Sequence, residues 1–301
     1  MRGIKKTFYN KEEFIEQLTP TMYVFYKIKK RIFSSKSKYH KIDVIETYDR
    51  ELCFCLDNQI QSSTKDEWIY HECLVHPIMI THPNPKKVLI VGGGEGAVLR
   101  EVLKHSTVEN VVMVEIDKEV IEVSKKFLKC IHKNSFFDKR VKLIIDDGYH
   151  YLRKRKKYFD CIIVDVSDPG KNSPSNHLYT FEFYSLLKER LRKDGIFVTQ
   201  ATSPFLNPQI YALVSSTCQR VFPIVRNYFY GCGFVVGSLK YDPLRTTKSL
   251  IKERMKKRDI LTRFYDENTH QILFYLPKHI RNTIKNTNEI LTISSINQLF
   301  P

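Results

Sequence analysis

From Pro85 onward the chain repeats one hydrophobic rhythm. A short apolar run is stopped by glycine or an acid, and a stretch with helical spacing follows. The runs are VLIVGG (88–93), VVMVEID (111–117), KLIIDDG (142–148), CIIVDVSDP (161–169) and GIFVTQA (195–201). Between them, 98–104 reads as a short helix, and Val120, Val123, Ser124, Phe127 and Leu128 form a helical stripe. Residues 180–190 and 208–221 read as further helices, before two late strands near 224–230 and 233–238. Continuous apolar strands are buried on both faces, and their alternation with helices predicts a doubly wound, mostly parallel sheet of the α/β class.

The pattern before Pro85 differs. Residues 10 to about 34 read as a helical entry segment, with Pro20 as a break or a helix start. IDVIETYDRELCFCLDNQIQSS (42–63) alternates apolar and polar positions, which predicts two or three antiparallel strands. A helix is expected over 66–81, with Asp66 and Glu67 in a first turn that favours acids. Pro83, Asn84 and Pro85 then make a turn-rich linker. The expected organisation is 1–82 for the entry segment, small β domain and linker helix, 83–280 for the catalytic domain, and 281–301 for a tail.

Composition changes this picture in few places. The 301 residues carry a net charge of +16, with basic clusters at 27–31, 153–157 and 252–258. No cluster is interleaved with stacking aromatics, and no nucleic-acid-binding motif accompanies them, so solvated helix faces are the favoured reading over a nucleic-acid groove. Seven cysteines show no CxxC pair and no zinc-ligand spacing, so no metal is expected and reduced, packed thiols are. Cys53 and Cys55 fall on one face of a strand. No stretch reaches the roughly 20 apolar residues of a membrane span. The N-terminus has no apolar run after its charges, and a cytoplasmic location is expected.

The chemistry lies in where the acids fall. Ligands of open parallel sheets bind at the carboxyl ends of the strands. The first strand runs into Gly92-Gly93-Gly94-Glu95-Gly96; the next three end at Glu115 and Asp117, at Asp146 and Asp147, and at Asp165 and Asp168. Singly these are weak signals: Asp117 reads as a helix cap, Asp146 as structural, and GGGEG lacks the dinucleotide GxGxxG spacing. Together they put like charges on one rim, where they repel unless a cation sits among them. A pyrophosphate would meet Glu95 in its own cradle. An adenosine ligand bearing positive charge fits, with Glu115 on the ribose, Asp147 at the adenine amino group and Glu95 at a cationic tail.

These motifs resemble the spermidine synthase family of aminopropyltransferases. The likeness is carried by KYHK, by DNQIQSSTKDEWIYHECLVHPIMITHPNPKKVLIVGGGEGAVLREVLKH, by VVMVEIDKEVIEVSKKFL, by LIIDDG and by VDVSDP with LYTFEFY, and it runs from about residue 15 to about 280. IYHECLVHP is closer to thermospermine synthases and to thermophile agmatine or triamine aminopropyltransferases. The resemblance implies a methyltransferase-like Rossmann domain with a small N-terminal antiparallel β domain, assembled as a homodimer or homotetramer. It implies decarboxylated S-adenosylmethionine as co-substrate, no tightly bound cofactor, an amine acceptor and methylthioadenosine as by-product. Matched by position, Asp165 is the general base, and Tyr70 and Asp168 hold the acceptor. Glu95 takes the donor's aminopropyl ammonium, Glu115 its ribose, and Asp147 with Gly148 its adenine, while His40, Gln61 and His71 lie against the donor. Two stretches depart from the family pattern: His40 follows Tyr39 where glutamine is common, and 226–234 looks shortened.

Elementary chemistry agrees with that allocation. An alkylamine has a pKa of about 10.4, arrives protonated and must lose a proton to attack. A carboxylate at Asp165 can take it as nitrogen attacks the carbon next to sulfur. The sulfonium leaves neutral and needs no acid. A methyltransferase on the same fold and a catalytically silent nucleoside-binding relative are the competing readings. The methyl donor's carboxylate would fit poorly beside Glu95.

Overall fold

The computed structural model describes residues 12–299 except 155, 157 and 172. The N-terminal stretch read for targeting, and two residues of the 153–157 basic cluster, lie outside these.

The chain opens with a five-stranded antiparallel sheet: β1 (Glu13–Thr19), β2 (Met22–Lys36), β3 (Lys41–Thr47), β4 (Glu51–Leu56) and β5 (Gln59–Ser63), paired in that order. The helix expected over 10–34 is therefore a β-hairpin turning at Pro20 and Thr21. Its apolar residues are largely aromatic or β-branched, types that suit a pleated surface. In β1, Phe14 and Glu16 point inward while Glu13 and Ile15 point out. Phe14 and Ile28 pack with Ile45, Cys53 and Cys55, contacts distant in sequence that local spacing does not reveal. The 27–31 basic cluster lies on β2 and not on a helix; its Arg31 bonds Asp43 at 2.6 Å and Glu12. Cys53 and Cys55 share one face as expected, with Phe54 on the other. Asp57 and Asn58 both have positive φ, the backbone of a tight hairpin turn between β4 and β5.

The helix α1 (Glu67–Thr81) leads into a seven-stranded sheet. Its elements are β6 (Lys87–Gly92), α2 (Ala97–Leu103), β7 (Asn110–Glu115), α3 (Lys118–Phe127), α4 (Lys129–His132), β8 (Val141–Ile145), α5 (Gly148–Lys154) and β9 (Phe159–Asp165). There follow α6 (Phe181–Arg190), β10 (Leu191–Gln200), α7 (Pro208–Gln219), β11 (Ile224–Tyr230) and β12 (Cys232–Ser238). The order is β11-β12-β10-β9-β6-β7-β8; the five from β10 to β8 are parallel, and β12 and β11 add antiparallel at one edge. Alternate residues feed opposite layers. Val88, Ile90, Cys161 and Ile163 pack towards α1 and α2, while Leu89, Val91, Ile162 and Val164 pack towards α6 and α7. That is the two-faced burial the apolar runs predicted, except at the edge strand β8, where no residue is fully buried and Ile145 is exposed because no strand lies beyond it.

The chain runs outward from β6 through β7 to β8, then returns to β9 on the other side of β6. The carboxyl ends of β6 and β9 thus flank the switch point where such sheets bind ligands. In that ladder Gly92 stands opposite Asp165. Gly92 has φ +81°, and a Cβ there would lie 2.0 Å from the Asp165 carbonyl oxygen, so only glycine fits beside the acid.

The end of the chain adds α8 (Lys248–Lys257), α9 (Glu267–Leu273) and α10 (Lys278–Asn286). The expected boundary at 280 falls inside α10, and Leu291 and Ile296 are buried in the same core as Ile280. The segment beyond 280 is packed and is not a free tail. The 252–258 cluster is only partly a solvated face. Lys252, Lys256 and Lys257 are exposed, but Arg254 and Arg258 turn inward onto the end of α1. Arg254 donates to the carbonyls of Ile80 and Thr81, and Arg258 to those of Met79, His82 and Pro83. The carbonyls of Met79, Ile80 and Thr81 are ones a helix end leaves unpaired, those of His82 and Pro83 follow directly after, and cations are favoured there.

Candidate active site

A cavity of about 360 Å³ opens where the two sheets meet, at the carboxyl ends of β6, β7 and β9. Glu95, Glu115, Asp147, Asp165 and Asp168 all line it, with Tyr70, His40, Gln61 and Gly148. A sixth acid, Glu16, enters from β1; it went unseen in the sequence because its segment was read as helix. No lysine or arginine is among the described lining residues, although the protein carries +16 overall. The acidity needed by a cationic ligand is therefore local.

Asp165 ends β9, and Tyr70, one turn into α1, donates to its Oδ1 at 2.6 Å. Burial pushes the Asp165 carboxyl up, and the nearby charge of Glu95 adds to it, while His71 and the Tyr70 hydroxyl oppose; the result is about 7. Asp168 is likewise raised by burial, against hydrogen bonds from Gln200 and Thr202. Gln200, at the end of β10, is a wall residue sequence reasoning missed. Its amide donates to the Val166 carbonyl at 2.7 Å and its oxygen accepts from the Thr202 N–H at 2.9 Å, tying the β9 and β10 exits together. Cys232 stands beside it on the wall because β11 and β12 are joined by the single residue Gly231, φ +71°.

Glu115 ends β7 and is 7% exposed. Burial raises its carboxyl to about 7, although its Oε1 accepts the Asp117 N–H at 2.9 Å. Asp147 caps α5 through the His150 N–H and accepts from His177 at 2.7 Å; these partners outweigh burial and hold its carboxyl low. Asp117 caps α3 as expected, bonding the Glu119 N–H at 3.0 Å, and also anchors the His40 ring at 3.2 Å. His40 thereby reaches the cavity wall. Asp146 bonds its neighbours Asp147 and His150 and does not line the cavity.

His71 departs from expectation. It is not on the cavity wall but one layer behind it, 1% exposed, with Nε2 2.7 Å from Glu95 Oε1 and Nδ1 2.8 Å from Glu67 Oε2. Burial alone would discharge the ring, but the two carboxylates hold its pKa up at about 10. An imidazolium that donates both N–H groups has no lone pair for a metal, so the approach of His71, Glu95 and Asp165 within 4.8 Å reads as an ion-pair cluster. Ser62 also donates to the same Glu95 oxygen at 3.3 Å.

A doubly wound sheet with an acid-walled cleft at its switch point suits a ligand that carries positive charge. Residues 67–233 match the family model described as the spermine/spermidine synthase domain. The chain belongs to that family, and its activity is aminopropyl transfer in polyamine biosynthesis. It is 43% identical to the polyamine aminopropyltransferase of Sulfurisphaera tokodaii, over 92% of this chain and 95% of the relative. It is 42% identical to that of Pyrobaculum calidifontis, over 88% and 95%. The spermidine synthase of Thermotoga maritima superposes with a TM-score of 0.85 at 35% identity, covering 92% of this chain and 96% of the other. A spermidine synthase in complex with the transition-state analogue AdoDATO gives 0.86 at 34%, covering 95% and 99%. No helix among the described residues is long and apolar enough to cross a membrane.

Proposed function

We propose that the cavity holds decarboxylated S-adenosylmethionine as donor and a polyamine as acceptor. Asp147 and Gly148 meet the adenine, Glu115 the ribose hydroxyls, and Glu95 the aminopropyl ammonium, with His40 and Gln61 alongside. Asp165 takes the proton of the incoming amine, which Tyr70 and Asp168 hold in line. Nitrogen then attacks the carbon next to sulfur, the C–S bond breaks, and methylthioadenosine leaves neutral.

The observation that carries this reading is a wall of six carboxylates without a lysine or arginine among its described residues. A donor that kept its carboxylate would face Glu95 with like charge. The acceptor we favour is a triamine, spermidine going to thermospermine or spermine, ahead of agmatine or putrescine. Glu16 supplies a carboxylate beyond those the donor and one reacting amine use, and the one-residue β11–β12 connection keeps that wall short. We further propose a cytoplasmic homodimer or homotetramer. All seven cysteines are free, which suits a reducing compartment.

The test is incubation with decarboxylated or intact S-adenosylmethionine against putrescine, agmatine and spermidine, products being identified by mass spectrometry. We expect aminopropyl products from the decarboxylated donor alone, fastest with spermidine. Methyl transfer would overturn the donor, and a preference for a diamine would overturn the acceptor.

A further inference from the structure

The wall residue Glu95 is backed by a buried line of alternating charge that the catalytic reading does not use. His71 bridges Glu95 to Glu67 within α1. Both Glu67 oxygens accept from the Arg100 guanidinium of α2, at 2.8 and 2.9 Å. Arg100 is held in turn by Glu101 at 2.7 Å and by the Ile131 carbonyl. His71, Glu95 and Arg100 are all under 9% exposed, so water screens little of this.

We infer that Glu67, seated on Arg100, is a positioning residue that keeps the His71 ring charged beneath Glu95 and so sets the pH at which Asp165 can serve as base. This rests on the proposed role of Asp165. The groups facing His71 are few. On α1 they are Glu67 and the Tyr70 ring edge, centroids 5.0 Å apart; from the β6–α2 loop comes Glu95, and from β9 Asp165. Asp165 itself faces Tyr70, Glu95, His71, the Cys232 thiol and the Tyr179 hydroxyl. Glu95 opposes ionisation of Asp165 and the His71 cation favours it. A neutral His71 would leave Glu95 uncompensated, and Asp165 would hold its proton to higher pH. Glu67 supplies one of the two carboxylates that keep the ring charged, and its fork on Arg100 leaves it little freedom to turn away.

The experiment compares wild type, Glu67→Gln, Glu67→Asp, His71→Gln and the Glu67→Gln/His71→Gln double variant. The readouts are the pH profile of kcat/KM and, in ligand-free protein, the titration of the His71 ring by NMR. Glu67→Gln should lower the His71 midpoint from about 10 to about 7 and so move the acid limb of kcat/KM up by about 0.5–1 unit. At pH 7 that is a loss of roughly twofold to fivefold, which grows towards roughly threefold to tenfold at lower pH and disappears at alkaline pH. Glu67→Asp should restore most of both. His71→Gln should move the limb the same way, and adding Glu67→Gln to it should move it no further. A His71 midpoint that stays above about pH 8, a loss equal at all pH values, or the same added shift in the His71→Gln background would each overturn the inference. Normal turnover of Asp165→Asn would instead overturn the reading beneath it.

Discussion

The Tyr70 hydroxyl stands 2.6 Å from Oδ1 of Asp165, joining α1 to the exit of β9 across 95 residues of sequence. Replacing Tyr70 by phenylalanine removes a donor to a buried carboxylate, a bond worth roughly 1.5–3 kcal/mol. Asp165 should then ionise about one pH unit higher, and kcat should fall by roughly tenfold to a hundredfold as the acceptor loses its guide. Rate profiles from pH 5 to 9 check this. An unmoved acid limb would separate Tyr70 from the base.

Asp165→Asn keeps the shape and removes the proton acceptor. Turnover should drop by roughly 10²–10⁴-fold, the span of general base catalysis. Donor affinity should stay within a few-fold, because Glu95, Glu115 and Asp147 remain. Methylthioadenosine release and calorimetric donor binding measure the two separately.

The wild-type kcat/KM should climb through pH 7. The base works deprotonated, and burial with Glu95 nearby holds Asp165 at about 7 in the free enzyme. Bound cations favour the carboxylate, so the corresponding limb in kcat should lie lower. A profile flat from pH 5.5 to 8 would contradict this placement.

Glu115 should cost the ligand-free protein stability. Its folded pKa of about 7 lies above the ordinary carboxylate value. Its contribution is therefore fully present below that ordinary value and is lost as pH rises through 7. Glu115→Gln keeps an oxygen for the Asp117 N–H and should be more stable at pH 8 by roughly 1–3 kcal/mol, with no gain at pH 4. It should also bind the donor more weakly. Urea midpoints at the two pH values, together with donor titration, test both halves.

Arg258, 2% exposed, bonds three carbonyls at the end of α1. Arg258→Ala orphans them, at roughly 1–3 kcal/mol for each group left without water or partner. Stability should fall by about 3 kcal/mol in total, with donor affinity nearly unchanged in the protein that remains folded. An unaltered urea midpoint would show that those carbonyls find other partners.

By itself the sequence determined the doubly wound sheet and the rim of acids. Each β-strand from β6 to β10 contains a short apolar run closed by glycine, an acid or a polar residue, and strand burial and strand-end placement are local properties that a short window records. Glycines 92 to 94 and the acids after β7, β8 and β9 were readable for that reason. The hairpin at 13–36 was not, because its charged and apolar residues fit a helical period as well as an alternating one. Only pairing with β3 and packing against Cys53 and Cys55 select the strand, and Glu16 was lost with it. The tertiary structure alone decided that His71 backs Glu95 instead of lining the cavity, that Asp117 holds His40, and that Arg254 and Arg258 cap α1 instead of meeting solvent. In each case the deciding partner lies far along the chain or on another element. A buried charge is fixed by whichever opposite charge or carbonyl the fold brings within hydrogen-bonding reach, and no local pattern encodes that distance.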